Sequence, residues 1–266
     1  MKPLAALGFE PAYARLDAAS ADFDKYYSRM GGGTLLKTTR PGRFAELDAL
    51  LVAELARFAP GRLIRVHDVA ASSAITSIEL LETLRARGPA NVRASDYYDA
   101  LYILDGTPFS FVFDADMAPL QATVGRAGIS AQHGPLRRVL APFWASAIAR
   151  QSEARRVSLF HPRALAAAAS DTGFTLVRES FFAPEAGPYE VVRLLNALWP
   201  ELGRDAIGTV LRAAIATMTE DGVLVLGRAG DYTLFGRSGE CLKPLGGLGD
   251  PAQNVDLMRG IAALVD

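Results

Sequence analysis

The chain has 266 residues, with 28 Lys and Arg against 29 Asp and Glu, which gives a net charge of −1 at pH 7. Half of the residues are apolar and 21% are charged, which is typical of a globular protein. A charge so close to zero gives no field that attracts nucleic acid, and no apolar run approaches the roughly 20 residues that span a bilayer.

The cysteine content and the N-terminal residues indicate a compartment. A single cysteine, Cys241, cannot form an internal disulfide, which favours a reducing environment. Glu10, Arg15 and Asp17 interrupt any apolar core of a signal peptide. We therefore expect a cytoplasmic protein.

The first 43 residues are the least regular part of the sequence. Aromatic residues are scattered there among polar ones, and Gly31-Gly32-Gly33 and Arg40-Pro41-Gly42 break the chain. We expect an N-terminal helical arm or lid over residues 1–43. Apolar residues at helical spacing from Phe44 to Phe58 then predict a helix, and residues 44–266 are expected to form one α/β domain.

A strand–helix–strand unit follows this helix. The predicted elements are a strand over 63–69, a helix over 75–87 and a second strand over 92–95. Two short strands joined by one helix form a parallel unit with a right-handed crossover. An insertion at about 100–156 comes next. It comprises a hairpin around Asp105-Gly106-Thr107-Pro108 and a helix that reaches about Arg150.

The second half of the chain returns to alternating helices and strands. The predicted helices are 162–169, 205–218 and 258–265, and the predicted strands are 174–177, 189–194, 223–226, 232–235 and 242–245. Asp221-Gly222 is expected to be a turn. The pattern predicts a doubly wound, mostly parallel seven-stranded sheet with an antiparallel C-terminal strand pair. Ligands bind such sheets beyond the carboxyl ends of the strands.

Acidic residues follow the first two strands of this predicted sheet. After the first strand the sequence is Asp68-Val69-Ala70-Ala71-Ser72-Ser73-Ala74, and Asp96-Tyr97 ends the second strand. In these segments the chain resembles the class I S-adenosylmethionine-dependent methyltransferases, whose pattern is D-x-G-x-G-x-G followed by an acid after strand two. Residues 189–196 and 221–228 resemble the family's fourth and fifth strands, so the resemblance covers about residues 44–246. It implies a Rossmann-like fold and S-adenosylmethionine as the cofactor.

The resemblance also implies a set of cofactor-binding residues. They are Asp68, Val69, Ala70, Ala71, Ser72, Asp96, Tyr97, Ser180, Phe181 and Leu194. Asp96 takes the ribose hydroxyls, because a carboxylate accepts from two adjacent hydroxyl groups. Ala70, Ser72 and Ala74 stand where the family has glycines, so the motif is degenerate. If these positions need a positive φ, each alanine costs about 1 kcal/mol or more.

Several of these residues have a simpler structural interpretation. Asp68 fits the N-terminal dipole of the following helix as well as a cofactor. Ser72, Ser73, Thr76 and Ser77 are as well suited to capping that helix as to contacting a ligand. His67 fits a buried core histidine, and Asn196 fits a turn. No residue is identified as the general base, and His67, Asn196 and Glu179 stay as candidates.

The functional hypothesis is methyl transfer from S-adenosylmethionine to a small molecule or a peptide. The substrate pocket is expected to contain Tyr26, Tyr27, Phe143, Trp144 and Asn196. Three scattered histidines and one cysteine have no metal-ligand spacing, so no metal is expected. Two alternatives stay open. One is an inactive methyltransferase fold that acts as a scaffold or binding module, and the other is an enzyme that uses the cofactor for different chemistry. A protein partner or a homodimer is also left open.

Overall fold

The computed structural model describes residues 9–11, 13–16, 23, 31–32, 35–36, 39–132, 136–185, 187–239, 241–250 and 252–259. The chain divides into two compact units. The first comprises Met1–Arg40 and Tyr98–Arg163, and the second comprises Pro41–Tyr97 and Ala164–Asp266. The domain boundaries predicted from the sequence stay a prediction.

The elements are numbered in chain order. The strands are β1 (Phe9–Pro11), β2 (Gly31–Gly32), β3 (Leu35–Leu36), β4 (Ile64–Val69), β5 (Ala90–Asp96), β6 (Ala100–Leu104), β7 (Ser110–Phe113), β8 (Pro119–Val124), β9 (Ala127–Ser130), β10 (Arg155–Ser158), β11 (Phe174–Arg178), β12 (Tyr189–Leu195), β13 (Met218–Arg228), β14 (Asp231–Ser238) and β15 (Cys241–Leu248). The helices are α1 (Ala45–Leu55), α2 (Ile75–Arg85), α3 (Leu136–Val139), α4 (Ala141–Ala149), α5 (Pro162–Ser170), α6 (Arg204–Ala216) and α7 (Ala252–Arg259).

The second unit contains a seven-stranded sheet in the order β11-β5-β4-β12-β13-β14-β15. The first five strands are parallel, and β14 is antiparallel to both of its neighbours. This arrangement confirms the predicted doubly wound sheet and its antiparallel C-terminal pair. The central strands are largely buried, and β4 and β12 carry the buried polar residues His67, Asp68 and Arg193 among apolar ones.

One connection between parallel strands of this sheet has no helix in its described residues. Strand β11 is followed by β12, although β5 and β4 lie between them in the sheet. The chain therefore crosses two strands within residues 179–188, and those of them that the structure describes form turns and loops only. Parallel strands are usually joined through a helix. We call residues 179–188 the strap.

The first unit contains a six-stranded antiparallel sheet in the order β1-β9-β8-β7-β6-β10. The predicted hairpin is confirmed as β6 and β7, which pair antiparallel. The predicted helix that reaches about Arg150 is divided into α3 and α4. Strands β8, β9 and β10 were not predicted. Their sequences contain Gln121, Gly128 and two adjacent arginines, which weaken the alternation of apolar and polar residues.

Some boundaries predicted from the sequence are wrong. Asp221-Gly222 lies inside β13 rather than in a turn, in the irregular stretch between Met218 and Val223 where the register against β12 shifts. The last helix is Ala252–Arg259, and residues 260–266 lie outside the described residues. Phe9–Pro11 is a strand paired with β9 rather than part of a helical arm. Gly31–Gly32 pairs with Leu35–Leu36 instead of breaking the chain.

Within the described parts of the chain, no helix combines the length and the apolar character needed to cross a bilayer.

Candidate functional site

The turn between β4 and α2 has an unusual backbone. Ala70, Ser72 and Ala74 have φ angles of 57°, 62° and 58°. This left-handed region is the one that glycine enters without cost, and L-residues pay roughly 1–2 kcal/mol there. The turn thus has the backbone conformation of a glycine-rich loop without any glycine.

Two contacts with β5 hold this turn. The Ala71 amide donates to the Ser95 carbonyl at 2.8 Å, and the Ser72 amide donates to Asp96 Oδ2 at 2.8 Å. Asp96 is the last residue of β5 and is only 6% exposed. The structure therefore brings together the two features that the sequence analysis singled out, the degenerate turn and the acid after the second strand.

Asp68, two residues before this turn, belongs to a buried ion-pair network. Arg193 donates through Nε to Asp68 Oδ1 at 3.0 Å and through Nη2 to Asp68 Oδ2 at 2.5 Å. Its Nη1 donates to Asp48 Oδ1 at 2.9 Å. All three residues are at least 97% buried. The network joins β12, β4 and α1 in the interior of the unit.

Burial and charge act against each other in this network. Burial raises the pKa of Asp48 to about 6, although Arg193 beside it acts in the opposite direction. Burial alone would lower the pKa of the Arg193 guanidinium, but Asp68 and Asp48 raise it above its ordinary value. The arginine therefore stays charged between two carboxylates.

Two hydroxyl groups of α2 belong to the same network rather than to a helix cap. Ser77 Oγ donates to Asp68 Oδ2 at 2.5 Å, and Thr76 Oγ1 lies 3.4 Å from Arg193 Nη2. Residue 74 occupies the N-cap position of α2, and no side chain caps the helix there. The capping interpretation of Thr76 and Ser77 is therefore wrong, because Asp68 and Arg193 engage both hydroxyls.

Arg193 and Asp48 were missed by the sequence analysis. A signal was present, since Arg193 interrupts the apolar run Val191–Leu195 and Asp48 lies among the apolar residues of α1. Arg193 is aligned with Asp68 on the adjacent strand. Charges inside buried strands are almost always paired, so a pairing between these residues was open to prediction.

A second polar cluster lies around His67, which is fully buried. His67 Nε2 lies 3.0 Å from Ser95 Oγ and 3.2 Å from Glu179 Oε1. Arg93 Nη2 donates to Glu179 Oε2 at 2.5 Å. Burial alone would raise the pKa of Glu179, but His67 and Arg93 outweigh it and hold this pKa at about 2. Glu179 is therefore an ion-paired carboxylate.

The other predicted cofactor residues lie at or near the carboxyl edge of the sheet. Tyr97 is exposed, and the Arg178 guanidinium lies 5.0 Å from its ring centre. Ser180 forms a turn in which its Oγ accepts from the Phe182 amide at 3.3 Å. Phe181 packs in part against the hydrophobic core. Val69 and Leu194 are core residues, so their side chains contact other apolar side chains.

Asn196 holds a connection between two strands. Its φ is 57°, its amide donates to the Gly227 carbonyl at 2.8 Å, and its Oδ1 accepts from the Ala229 amide at 3.0 Å. These contacts tie the end of β12 to the β13–β14 turn. The observed contacts match the turn interpretation of this residue.

The predicted pocket residues lie in different parts of the chain. Tyr26 and Tyr27 lie outside the described residues. Trp144 is buried in the first unit and meets Phe111 edge-on at 4.9 Å, whereas Phe143 is exposed and meets Phe109 at 5.3 Å. Asn196 belongs to the second unit. Across the described residues, no group of three or more His, Cys, Asp or Glu side chains is placed to hold a metal ion.

No protein-family model and no curated protein matches the chain. Solved structures that are similar to it are methyltransferases, at low identity. The 1,6-didemethyltoxoflavin-N1-methyltransferase of Burkholderia thailandensis, solved with S-adenosylhomocysteine, is 14% identical with a TM-score of 0.36, over 83% of this chain and 67% of that one. A protein-L-isoaspartate O-methyltransferase is 10% identical with a TM-score of 0.42, over 90% of this chain.

A third similar structure is an O-methyltransferase of neocarzinostatin biosynthesis, solved with S-adenosylmethionine. It is 15% identical with a TM-score of 0.30, over 68% of this chain. The present chain spans only 56% of the isoaspartate methyltransferase and 39% of this O-methyltransferase.

Proposed function

We propose that the protein binds S-adenosylmethionine at the turn 70–74 and Asp96, and transfers its methyl group to a small molecule or a peptide. The observation that carries the proposal is the left-handed backbone of Ala70, Ser72 and Ala74. Three strained residues within five positions cost several kcal/mol if each costs roughly 1–2 kcal/mol. Strain of this kind clusters at functional sites, where the surrounding structure holds it in place.

The residues present fit the proposed cofactor. Asp96 would hold the ribose hydroxyls, because a carboxylate can accept hydrogen bonds from two adjacent hydroxyl groups. The turn would present main chain to the amino-acid part of the cofactor. Tyr97, Ser180 and Phe181 would border the adenine, and Leu194 would contribute its main chain only. When bound, the cofactor supplies an activated methyl group.

In this proposal the protein contributes positioning rather than proton transfer. His67 is fully buried, and Asn196 holds a turn through its side chain. Glu179, with a pKa of about 2, is a weak base at neutral pH. We therefore assign no general base. The chain would bind the cofactor, orient the acceptor and exclude water, which can supply a large part of a rate enhancement. The proposed compartment is the cytoplasm, where Cys241 stays reduced.

The test is calorimetric titration with S-adenosylhomocysteine of the wild type, Asp96→Asn and Asp171→Asn. Asparagine at position 96 keeps an acceptor for the Ser72 amide but recognises a diol less well, so we expect at least tenfold weaker binding. Asp171 is a matched control. It is also an aspartate, but it precedes the amino end of β11, whereas Asp96 lies at the carboxyl end of β5, and it pairs with Arg85. Asp171→Asn should bind as the wild type does.

Two results would contradict the proposal. One is a wild type that does not bind at millimolar ligand, which would favour the scaffold alternative, with the Ala70 and Ser72 side chains closing the site. The other is equal binding by wild type and Asp96→Asn, which would place the ligand elsewhere. Transfer of a labelled methyl group to acceptor panels then separates methyl transfer from an inactive, ligand-binding protein.

A further inference from the structure

We propose that Arg93 is a positioning residue for the cofactor site, which it serves by fastening the strap to the sheet beside Asp96. The inference rests on the proposed function, because it concerns the same site. It assigns a role to a residue that lies on β5, three positions before Asp96, and outside the turn 70–74.

Arg93 holds both halves of the strap through one nitrogen atom. Its Nη2 lies 2.5 Å from Glu179 Oε2 and 2.5 Å from Glu185 Oε2. Glu179 is the first residue of the strap, and Glu185 is the seventh. The Arg93 side chain is 19% exposed and that of Glu179 is 11% exposed, so this half of the bridge is largely shielded from water. Ion pairs in such places are screened less than those on an open surface.

Glu179 then connects the strap to the site in two ways. Its amide donates to the Asp96 carbonyl at 3.3 Å, which ties the main chain of the strap to the main chain of the proposed ribose-binding residue. Its Oε1 lies 3.2 Å from His67 Nε2, and His67 in turn contacts Ser95, the residue before Asp96. Displacement of Glu179 would therefore remove one main-chain hydrogen bond to Asp96 and one contact with His67.

The strap needs such side-chain anchors because it lacks regular structure. Where the structure describes residues 179–188, they form turns and loops, so they have no helical hydrogen bonds that would fix their positions. Ordering each backbone residue costs roughly 1–2 kcal/mol. The strap also carries Ser180 and Phe181, two residues of the proposed adenine border. Fastening the strap thus orders that border before the cofactor arrives, which lowers the cost of binding.

The geometry makes a specific prediction about substitutions at Arg93. One nitrogen makes both contacts, and Arg93 Nε has no hydrogen-bond partner among the described residues. The ammonium of lysine is a point charge with three donors and can take the place of Nη2. Arg93→Lys should therefore keep the bridge, whereas Arg93→Met removes it. Glu185→Gln weakens only the contact between Arg93 and residue 185, so its affinity for the cofactor should lie between those of Arg93→Lys and Arg93→Met.

The experiment measures S-adenosylhomocysteine affinity by calorimetry at 25 °C, with thermal unfolding of each variant recorded separately. We expect at least tenfold weaker binding for Arg93→Met, about threefold for Glu185→Gln and no more than twofold for Arg93→Lys. Arg85→Met is the matched control, because Arg85 makes a two-point pair with Asp171 away from the strap. It should lose stability without losing affinity.

The outcomes separate the two proposals. If the wild type binds and Arg93→Met binds equally well, the positioning role is wrong and the proposed function stands. The role is also wrong if Arg93→Lys loses as much affinity as Arg93→Met, or if Arg85→Met does. A wild type that does not bind overturns the proposed function, and the role of Arg93 falls with it. If Arg93→Met does not fold, the Glu185→Gln variant decides. Unchanged affinity of that variant for S-adenosylhomocysteine overturns the positioning role.

Discussion

At the scale of single residues, the proposed cofactor site is characterised by the left-handed backbone of three residues that are not glycine. The left-handed φ values of Ala70, Ser72 and Ala74 are held by the Ser72–Asp96 and Ala71–Ser95 hydrogen bonds. Two residues before the turn, Asp68 is fixed by Arg193 and Ser77. Hydrogen bonds within the turn, together with those of Asp68 before it, thus oppose the strain inside it.

We therefore expect Ala70→Gly to leave the free energy of unfolding unchanged or to raise it by up to about 1 kcal/mol. The same substitution within a helix lowers it by about 1 kcal/mol. The relief of a positive φ offsets the extra entropy that glycine gives the unfolded chain. Ala70 is half-buried, so little packing is lost. Ala166→Gly, at an exposed position within α5, is the helical control and should lose about 1 kcal/mol. Urea unfolding measures the free energy of unfolding of both variants. An equal loss of stability in Ala70→Gly and Ala166→Gly would contradict the proposed strain at Ala70.

The sequence predicted the location of the turn and of Asp96 but not how the turn is held. The segment Asp68–Ala74 at the end of one predicted strand indicates where the turn lies. The acid at the end of the next strand, Asp96, indicates the residue that contacts it. The left-handed conformation itself leaves no signal once alanine and serine replace glycine. The Arg193 network was not predicted because three of its members are far apart in the chain, at positions 48, 68 and 193.

At the scale of elements, Arg193 is the residue that joins helix α1 to the central strands. Its guanidinium uses Nε, Nη1 and Nη2 on two carboxylates, and it lies 5.6 Å from the centre of the Phe44 ring. Unlike Arg93, it needs the whole planar group. A lysine provides one ammonium and cannot reach both carboxylates in this geometry.

Arg193→Met should accordingly lose about 3–5 kcal/mol of stability, since it leaves two buried carboxylates without a counter-charge. Arg193→Lys should lose at least about 2 kcal/mol, whereas Arg93→Lys should lose less than about 1 kcal/mol. The three variants are compared by urea unfolding at pH 7. An Arg193→Lys variant as stable as the wild type would show that one charge is sufficient and would contradict the network.

Most elements of the second unit could be predicted, because their apolar periodicity is strong. Strands β4, β5, β11 and β12 and helices α2 and α6 lie close to their predicted positions. Buried polar residues weaken the pattern in the first unit, where Gln121 is fully buried in β8 and accepts from the Tyr13 amide. The strap could not be predicted either, because its anchors are ion pairs with a strand more than 80 residues away.

At the scale of the whole molecule, two groups of carboxylates act oppositely on stability as the pH changes. The pKa of Asp48 is raised from 3.8 to about 6, so its proton is bound more tightly in the folded protein. Its contribution to the free energy of unfolding therefore falls as the pH rises from about 4 to about 6. Burial alone would raise the pKa values of Glu179 and of Glu190, which lies in β12. The cations paired with them outweigh burial and lower both pKa values: His67 and Arg93 act on Glu179, and Arg65 and Arg62 act on Glu190. Their contributions are therefore lost as the pH falls below about 4.

We therefore expect Asp48→Asn to become increasingly stable relative to the wild type as the pH rises from 4 to 7. A shift from 3.8 to about 6 corresponds to a change of about 3 kcal/mol at most in this difference. Asparagine still offers an acceptor to Arg193. Urea unfolding at half-unit pH intervals measures the difference, and parallel stability curves for the two proteins would contradict the assignment to Asp48.

The measurement that tests the central claim most directly is a crystal structure of the protein grown with S-adenosylhomocysteine. The account predicts the ligand at the carboxyl edge of the seven-stranded sheet. Its ribose hydroxyls should lie within hydrogen-bond distance of the Asp96 carboxylate, and residues 70–74 should retain their left-handed angles. A ligand bound at any other place, or a turn whose side chains occupy the position of the ribose, would contradict the claim.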